Sequence, residues 1–61
     1  MRFAEIDMGS ERHVVAIVDH TGAVVLRATA VTKDATGYKR LLELLGSASD
    51  CLVAMEATGH H

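Results

Sequence analysis

The apolar residues of this chain form three strand-like runs, then a stretch with helical spacing, then one more apolar run. The first three runs predict strands at residues 2–7, 13–19 and 23–31. A Gly-Ser break follows the first run, and residues 19–22 have the composition of a hairpin turn, with Gly22 available for a positive φ. These three strands are therefore expected to form an antiparallel meander.

The period of the apolar positions changes at residue 36. Tyr38, Leu41, Leu42 and Leu45 are spaced i, i+3, i+4 and i+7, which places them on one face of a helix, and Leu44 widens that stripe. The spacing predicts a helix whose apolar face packs on the sheet.

The flanking residues give the expected ends of this helix. Thr36 is the first candidate for the N-cap and Asp34 the second. Gly37 would then lie in the first turn, and Gly46 stands where a glycine commonly follows the last helical turn. Residues 47–50 are expected to form a loop.

The apolar run at residues 51–55 ends at Glu56, and a small polar turn follows. A short run of this kind predicts a buried fourth strand. The element order is β-β-β-α-β, and a helix between two strands usually makes a crossover, which places strand four parallel to strand one or its neighbour. If strands one and four are adjacent, Asp7 and Glu56 leave the sheet at the same end.

Two carboxylates at the mouth of a sheet suggest a metal site. Two such groups repel at close range unless a cation lies between them, and Mg²⁺ is typically held by one or two carboxylates, waters and a substrate phosphate. The residues therefore indicate Asp7 and Glu56 as metal ligands and catalytic groups. The alternative is that Asp7 is a turn-forming residue and Glu56 a solvated acid.

The remaining polar residues give weaker indications. Gly9 in the Asp-Met-Gly-Ser segment could donate its N–H to a phosphate, although an ordinary turn explains the same residues. The histidines at positions 13, 20, 60 and 61 have no spacing that suggests a shared metal and are expected at the surface. Cys51 is expected to act as a small apolar residue.

Length and charge restrict the class of protein. A chain of 61 residues is at most one domain, and its single cysteine excludes an internal disulfide. The net charge of −2 and the scattered Lys and Arg residues argue against nucleic-acid binding by this chain alone. There is no apolar stretch long enough for a membrane span and no signal peptide, so the expected location is the cytoplasm.

The hexapeptide Met-Glu-Ala-Thr-Gly-His at residues 55–60, taken with Ile-Asp-Met-Gly-Ser at residues 6–10 and the following hairpin, resembles the start of the insertion-sequence transposases of the IS110 family. The resemblance extends from about residue 3 to residue 61. It implies an α/β fold class, namely a partial RNase H-like, RuvC-like domain with a mixed sheet in the order 3-2-1-4.

The same resemblance implies a DNA transposase or recombinase with a D-E-D-D acid set that uses Mg²⁺, and a structured guide RNA as a partner beside the DNA. Asp7 corresponds to the first acid and Glu56 to the second. The family usually has Tyr where this sequence has His61, and the two later Asp residues and the serine-bearing C-terminal domain have no counterpart in residues 1–61.

These departures lead to the expectation that residues 1–61 are the truncated N-terminal part of such a domain and are inactive alone. The strand at residues 51–55 would then be an exposed edge through which the fragment associates with itself. Two alternatives remain: the N-terminal piece of an actin-like ATPase or sugar kinase, and a small non-enzymatic module that binds partners by strand pairing.

Overall fold

The structure, a computed structural model, describes residues 1–46 and 48–57 of the chain. The order of elements is the predicted β-β-β-α-β, with one additional turn of 3₁₀ helix at Ala48–Asp50 before the last strand. The strands are β1 (Arg2–Met8), β2 (Arg12–Asp19), β3 (Val24–Thr32) and β4 (Cys51–Ala57), and the helix is α1 (Ala35–Leu45).

The four strands form one mixed sheet in the order β3-β2-β1-β4. β2 pairs antiparallel with both β1 and β3, as short hairpins require, whereas β4 pairs parallel with β1 after the crossover through α1. The predicted α/β class and strand order are confirmed. The register between β2 and β3 shifts on either side of Ile17, so this hairpin contains an irregularity of the β-bulge type.

The turn between β2 and β3 is held by one carboxylate. Asp19 accepts hydrogen bonds from the backbone N–H and the hydroxyl of Thr21 and from the N–H of Ala23. These bonds favour the ionised form and lower the pKa of Asp19, with the Thr21 hydroxyl as the largest cause. Gly22 has φ 89°, as the turn prediction requires.

One face of the sheet and one side of α1 form the core. The helix packs against β3, and the fully buried side chains come from the three meander strands and the helix. The buried apolar residues are Ala4, Ile6, Val15, Ile17, Val31 and Leu41. Because residues two apart on a strand share a face, the alternation along β1 and β2 separates this core face from an opposite face that α1 does not cover.

The helical period was predicted correctly, but the prediction did not identify which apolar residues of the helix face the core. Leu41 is buried, and Leu44 and Leu45 are half-buried against the core. Tyr38 and Leu42, which the prediction placed at the core, are 63% and 51% exposed. Each residue turns the helix by about 100°. With Leu41 facing the sheet, Tyr38 and Leu42 therefore lie toward the solvent-exposed side of the helix.

The N-cap of α1 is Asp34 and not Thr36, which was the first candidate. Asp34 has an extended backbone, and its carboxylate accepts from the N–H of Gly37 and from the hydroxyl of Thr32. The bond from Gly37 is the main cause of its lowered pKa. The helix starts one residue before Thr36 because this carboxylate ties it to the end of β3.

The C-terminal end of α1 follows the prediction. Gly46 has φ 70° and donates its N–H to the carbonyl of Leu42. Arg2 on β1 donates from its guanidinium to the carbonyl of Leu45, which satisfies another helix-end acceptor. The end of the helix is therefore attached to the first strand of the sheet.

The expectation of a buried fourth strand is wrong. Within the described residues β4 is an edge of the sheet, and only Cys51 is half-buried. Leu52 is 59% and Met55 60% exposed. The helix packs mainly against β3 at the other side of the sheet, so the residues of β4 after Cys51 are exposed.

None of the helices in the described ranges has the length and apolar content needed to span a lipid bilayer.

Candidate metal-binding acid pair

Asp7 and Glu56 are register partners on neighbouring parallel strands. β1 and β4 pair along their whole length without a shift in register, so that Ile6 pairs with Met55 and Asp7 with Glu56. Neighbouring strands lie about 4.8 Å apart, and partners in a parallel ladder point to the same face. The crossover thus brings together the two carboxylates that the sequence singled out.

The acid pair lies on the face of the sheet that α1 does not cover. Ala4 and Ile6 point into the core, so the alternation of β1 directs Asp7 to the opposite face. Both Asp7 and Glu56 are exposed. A ligand can therefore approach the pair from solvent without any movement of the helix.

An apolar hollow adjoins the acid pair on this uncovered face. Its volume is about 340 Å³, and its lining includes one charged residue, Glu5, which precedes Asp7 by two positions on the same face of β1. The complete lining is Phe3, Ala4, Glu5, Ala16, Val18 and Ala54. The sequence reasoning missed Glu5 as a third carboxylate on this face, and strict alternation along β1 would have revealed it.

The chemistry of the donors fits a hard divalent cation. Like charges directly opposite one another on a sheet are unfavourable, and a cation between Asp7 and Glu56 removes that repulsion. Among residues 1–46 and 48–57 no three acidic, histidine or cysteine side chains converge closely enough to form a metal site. The pair can supply two oxygen ligands, and the rest of a coordination shell must come from elsewhere.

The other candidates from the sequence do not form a second site. Gly9 donates its N–H to the carbonyl of Arg12, so this turn uses the donor that a phosphate would need. His13 and His20 lie at opposite ends of β2. Positions 60 and 61 lie outside the described residues. Cys51 is a free thiol at the start of β4.

The fold gathers basic side chains that are scattered in the sequence. Arg12 pairs with Thr32 across β2 and β3, and this pairing brings Arg12 and His13 near Lys33. The ammonium group of Lys33 donates to the carbonyl of Gly9 at 3.1 Å. The sequence shows no basic patch because Lys33 is about twenty positions away from Arg12 and His13 along the chain. Only the register of the hairpin shows that their backbones lie near each other.

Comparisons with known proteins point to one family. A family model described as transposase matches residues 4–61. The transposase assigned to the mini-circle IS117 of Streptomyces coelicolor is 44% identical over 48 residues, which cover 79% of this chain. The chain spans about a tenth of the length of that relative, since the match covers 11% of it. No solved structure is significantly similar to the chain.

These matches favour the transposase interpretation over the actin-like ATPase alternative. The matched segment includes both acids, the hairpins and the helix, and it covers the sheet except for the first two residues of β1. The chain belongs to the DEDD transposases of the IS110 family.

Proposed function

We propose that Asp7 and Glu56 are the first two metal ligands of a DNA-cleaving site that serves insertion-sequence transposition. The observation that carries this proposal is the register pairing of the two carboxylates on β1 and β4. Family membership supports the choice of DNA as substrate and of Mg²⁺ as the cation.

In this proposal the two side chains hold the cation at the end of the sheet, where a DNA phosphate can complete its coordination. Mg²⁺ bound there would supply a Lewis acid for phosphodiester chemistry. Asp7 and Glu56 orient the site because each is fixed to a paired strand and not to a loop. The uncovered face beside them leaves room for the substrate strand.

The family resemblance also supports a structured guide RNA as a partner in the complete transposase, and we propose the cytoplasm as the place of action. Residues 1–61 contribute two carboxylates, and two-ion phosphodiester chemistry needs further ligands. The 61-residue chain alone is therefore proposed to bind metal weakly and to cleave nothing.

Metal binding tests the acid pair directly. Titration of the 61-residue chain with Mn²⁺, as a paramagnetic substitute for Mg²⁺, is expected to broaden the NMR signals of residues around Asp7 and Glu56 first. Replacement of both, Asp7→Asn with Glu56→Gln, removes the negative charge and is expected to weaken Mn²⁺ binding about tenfold or more. Glu43→Gln, the same charge change on an exposed position of α1, is the control.

Broadening that persists unchanged in the double variant would contradict the proposed ligands. An activity assay tests the proposed inactivity of the chain. The purified 61-residue chain is expected to leave DNA intact in the presence of Mg²⁺. Cleavage by the 61-residue chain that disappears on Asp7→Ala would show that two acids suffice and would overturn the proposed inactivity.

A second proposal concerns self-association through β4. This strand has an unpaired edge within the described residues, and Leu52, Val53 and Met55 are exposed along it. Unpaired apolar edges recruit other strands. We infer that the 61-residue chain forms dimers or larger assemblies through β4.

Sedimentation of paired variants tests this inference. Leu52→Lys places a charge on the β4 edge and is expected to convert assemblies to monomers. Val24→Lys makes the same kind of change on β3, the opposite edge, at a residue that is 65% exposed, and is expected to leave the assemblies intact. A monomeric wild-type chain at all concentrations would refute self-association.

A further inference from the structure

We propose that a second surface pocket, formed where β2, β3 and α1 meet, binds one nucleotide of a single-stranded nucleic acid. In this proposal Lys33 and His13 contact the phosphate and Tyr38 stacks on the base. The pocket has a volume of about 270 Å³. It is lined by His13, Thr32, Lys33, Asp34 and Tyr38. The inference rests on the proposed function only for the premise that the chain acts on nucleic acid.

The pocket lies at the same end of the sheet as the acid pair. His13 pairs with Met8, the residue after Asp7, and the neighbouring pair across β2 and β1 is Val14 with Asp7. His13 belongs to the core side of the sheet and Asp7 to the uncovered side. The pocket and the acid pair therefore lie at the same end of the sheet, on opposite faces of it.

The charges around the pocket favour a phosphate. The ammonium group of Lys33 uses one donor for the carbonyl of Gly9 and has two more. Arg12 precedes His13 on β2, so its exposed side chain lies on the opposite face of the strand and does not line the pocket. One acid, Asp34, lies among these groups.

Asp34 does not neutralise Lys33 by direct pairing. Its carboxylate accepts the N–H of Gly37 and the hydroxyl of Thr32, both at 2.8 Å. The positive end of the helix further compensates its charge. The ammonium group of Lys33 therefore remains available to an incoming anion.

The imidazole of His13 supplies a second indication of a missing polar group. Among the described residues its Nδ1 is buried and has no hydrogen-bond partner. Buried polar atoms in folded proteins nearly always have one, so this orphan nitrogen, on a residue that lines the pocket, indicates a polar group still to be supplied there. The imidazole can donate an N–H to a phosphate oxygen that binds at Lys33, because both residues line the same pocket.

Tyr38 provides a flat apolar surface beside these polar groups. Its helical spacing predicted a core position, yet the ring is 63% exposed and lines the pocket. An aromatic ring next to a cation is the combination with which proteins hold single strands, because every base has a face that can stack. The helical backbone fixes the position of the Tyr38 Cα at the edge of the pocket.

Fluorescence polarisation with a labelled thymidine oligonucleotide of about eight nucleotides tests the pocket in the presence of EDTA, which removes the metal from the question. Lys33→Gln is expected to weaken binding by about fivefold to tenfold and to reduce the salt-dependence slope by about 0.7. Tyr38→Leu is expected to weaken binding about fivefold, whereas Tyr38→Phe retains the stacking ring and binds within about twofold of wild type.

The controls separate this pocket from general charge effects and from the acid pair. Arg27→Gln removes the same charge from an exposed position of β3 outside the pocket and is expected to change binding by less than about twofold. EDTA keeps the metal of the acid pair out of the measurement, and Glu43→Gln, which removes a negative charge from an exposed position of α1 outside both sites, is not expected to weaken binding. A uridine oligonucleotide distinguishes RNA from DNA as the preferred strand, and competition with thymidine monophosphate against inorganic phosphate tests whether the base is bound.

Three results would each overturn the inference. One is the absence of oligonucleotide binding by the wild-type chain. Another is an equal loss of binding in Lys33→Gln and Arg27→Gln. The third is competition by inorganic phosphate as effective as that by the nucleotide, since Tyr38 would then have no base to stack on. Each result leaves the Mn²⁺ experiment on Asp7 and Glu56 unaffected, so the two proposals fail separately.

Discussion

Gly37→Ala is expected to unfold the chain or leave it only partly folded at room temperature. A Cβ at this position would lie 1.8 Å from the carbonyl oxygen of Thr32 and 2.6 Å from its carbonyl carbon. Neither atom belongs to a flexible side-chain end, so relief requires the first turn of α1 to move away from the end of β3. We expect a loss of more than about 3 kcal/mol in the free energy of unfolding.

Such a loss is large for this chain, because a domain of 61 residues has a total stability of about 3–9 kcal/mol. Urea denaturation followed by circular dichroism measures it. Thr36→Ala is the matched control, because it also introduces alanine, at the adjacent and exposed position of the same helical turn. Its expected change in the free energy of unfolding is within about 0.5 kcal/mol. Equal denaturation midpoints for the two variants would show that the helix does not contact β3 at Gly37.

Ile17→Ala is expected to have the second largest effect. Ile17 is 1% exposed, at the centre of β2, and pairs with Ala4 on one side and Leu26 on the other. Truncation of a buried isoleucine to alanine removes apolar contacts and leaves a cavity, at a cost of about 2–5 kcal/mol. The variant should melt well below the wild-type chain in thermal denaturation.

Val24→Ala is a suitable comparison because Val24 is also a β-branched strand residue but is 65% exposed. Its expected cost is below about 0.5 kcal/mol. If Ile17→Ala were as mild as Val24→Ala, the core would not lie between α1 and the centre of β2, and the packing described above would be wrong.

The periodic pattern of apolar residues was sufficient to predict the type and order of the elements. Apolar runs and turn residues identified β1 to β3, and the i, i+3, i+4 spacing identified α1. The same pattern could not show that Leu41, rather than Tyr38 or Leu42, lies at the core, because a stripe defines a side of a helix only to within a residue. Which residue is central depends on where the helix meets β3.

The exposure of β4 is a second feature that the local sequence could not predict. An apolar run predicts a strand, but its exposure depends on which elements cover it, and α1 packs over β3 instead. The N-cap assignment failed for a related reason, since the hydroxyl of Thr32 and the N–H of Gly37 select Asp34 through contacts that form only when strand and helix meet.

The candidate site, too, could be predicted only in part from the sequence. The crossover argument correctly placed Asp7 and Glu56 at one end of the sheet, but their pairing in the same register depends on the length of the connection and the packing of α1. The grouping of Arg12, His13 and Lys33 could not be predicted without the register of the second hairpin.

The position of β1 in the middle of the sheet has a consequence for the order of folding. β1 is made first, yet its partner β4 is made last, and Arg2 pairs with Cys51 across nearly the whole length of the chain. Hairpins close quickly, whereas contacts so distant in sequence close slowly. During synthesis the meander can form while one side of β1 is still open, and the two carboxylates remain apart until residue 56 has left the ribosome and joined the sheet. The acid pair therefore forms only after the strands of the meander have been made.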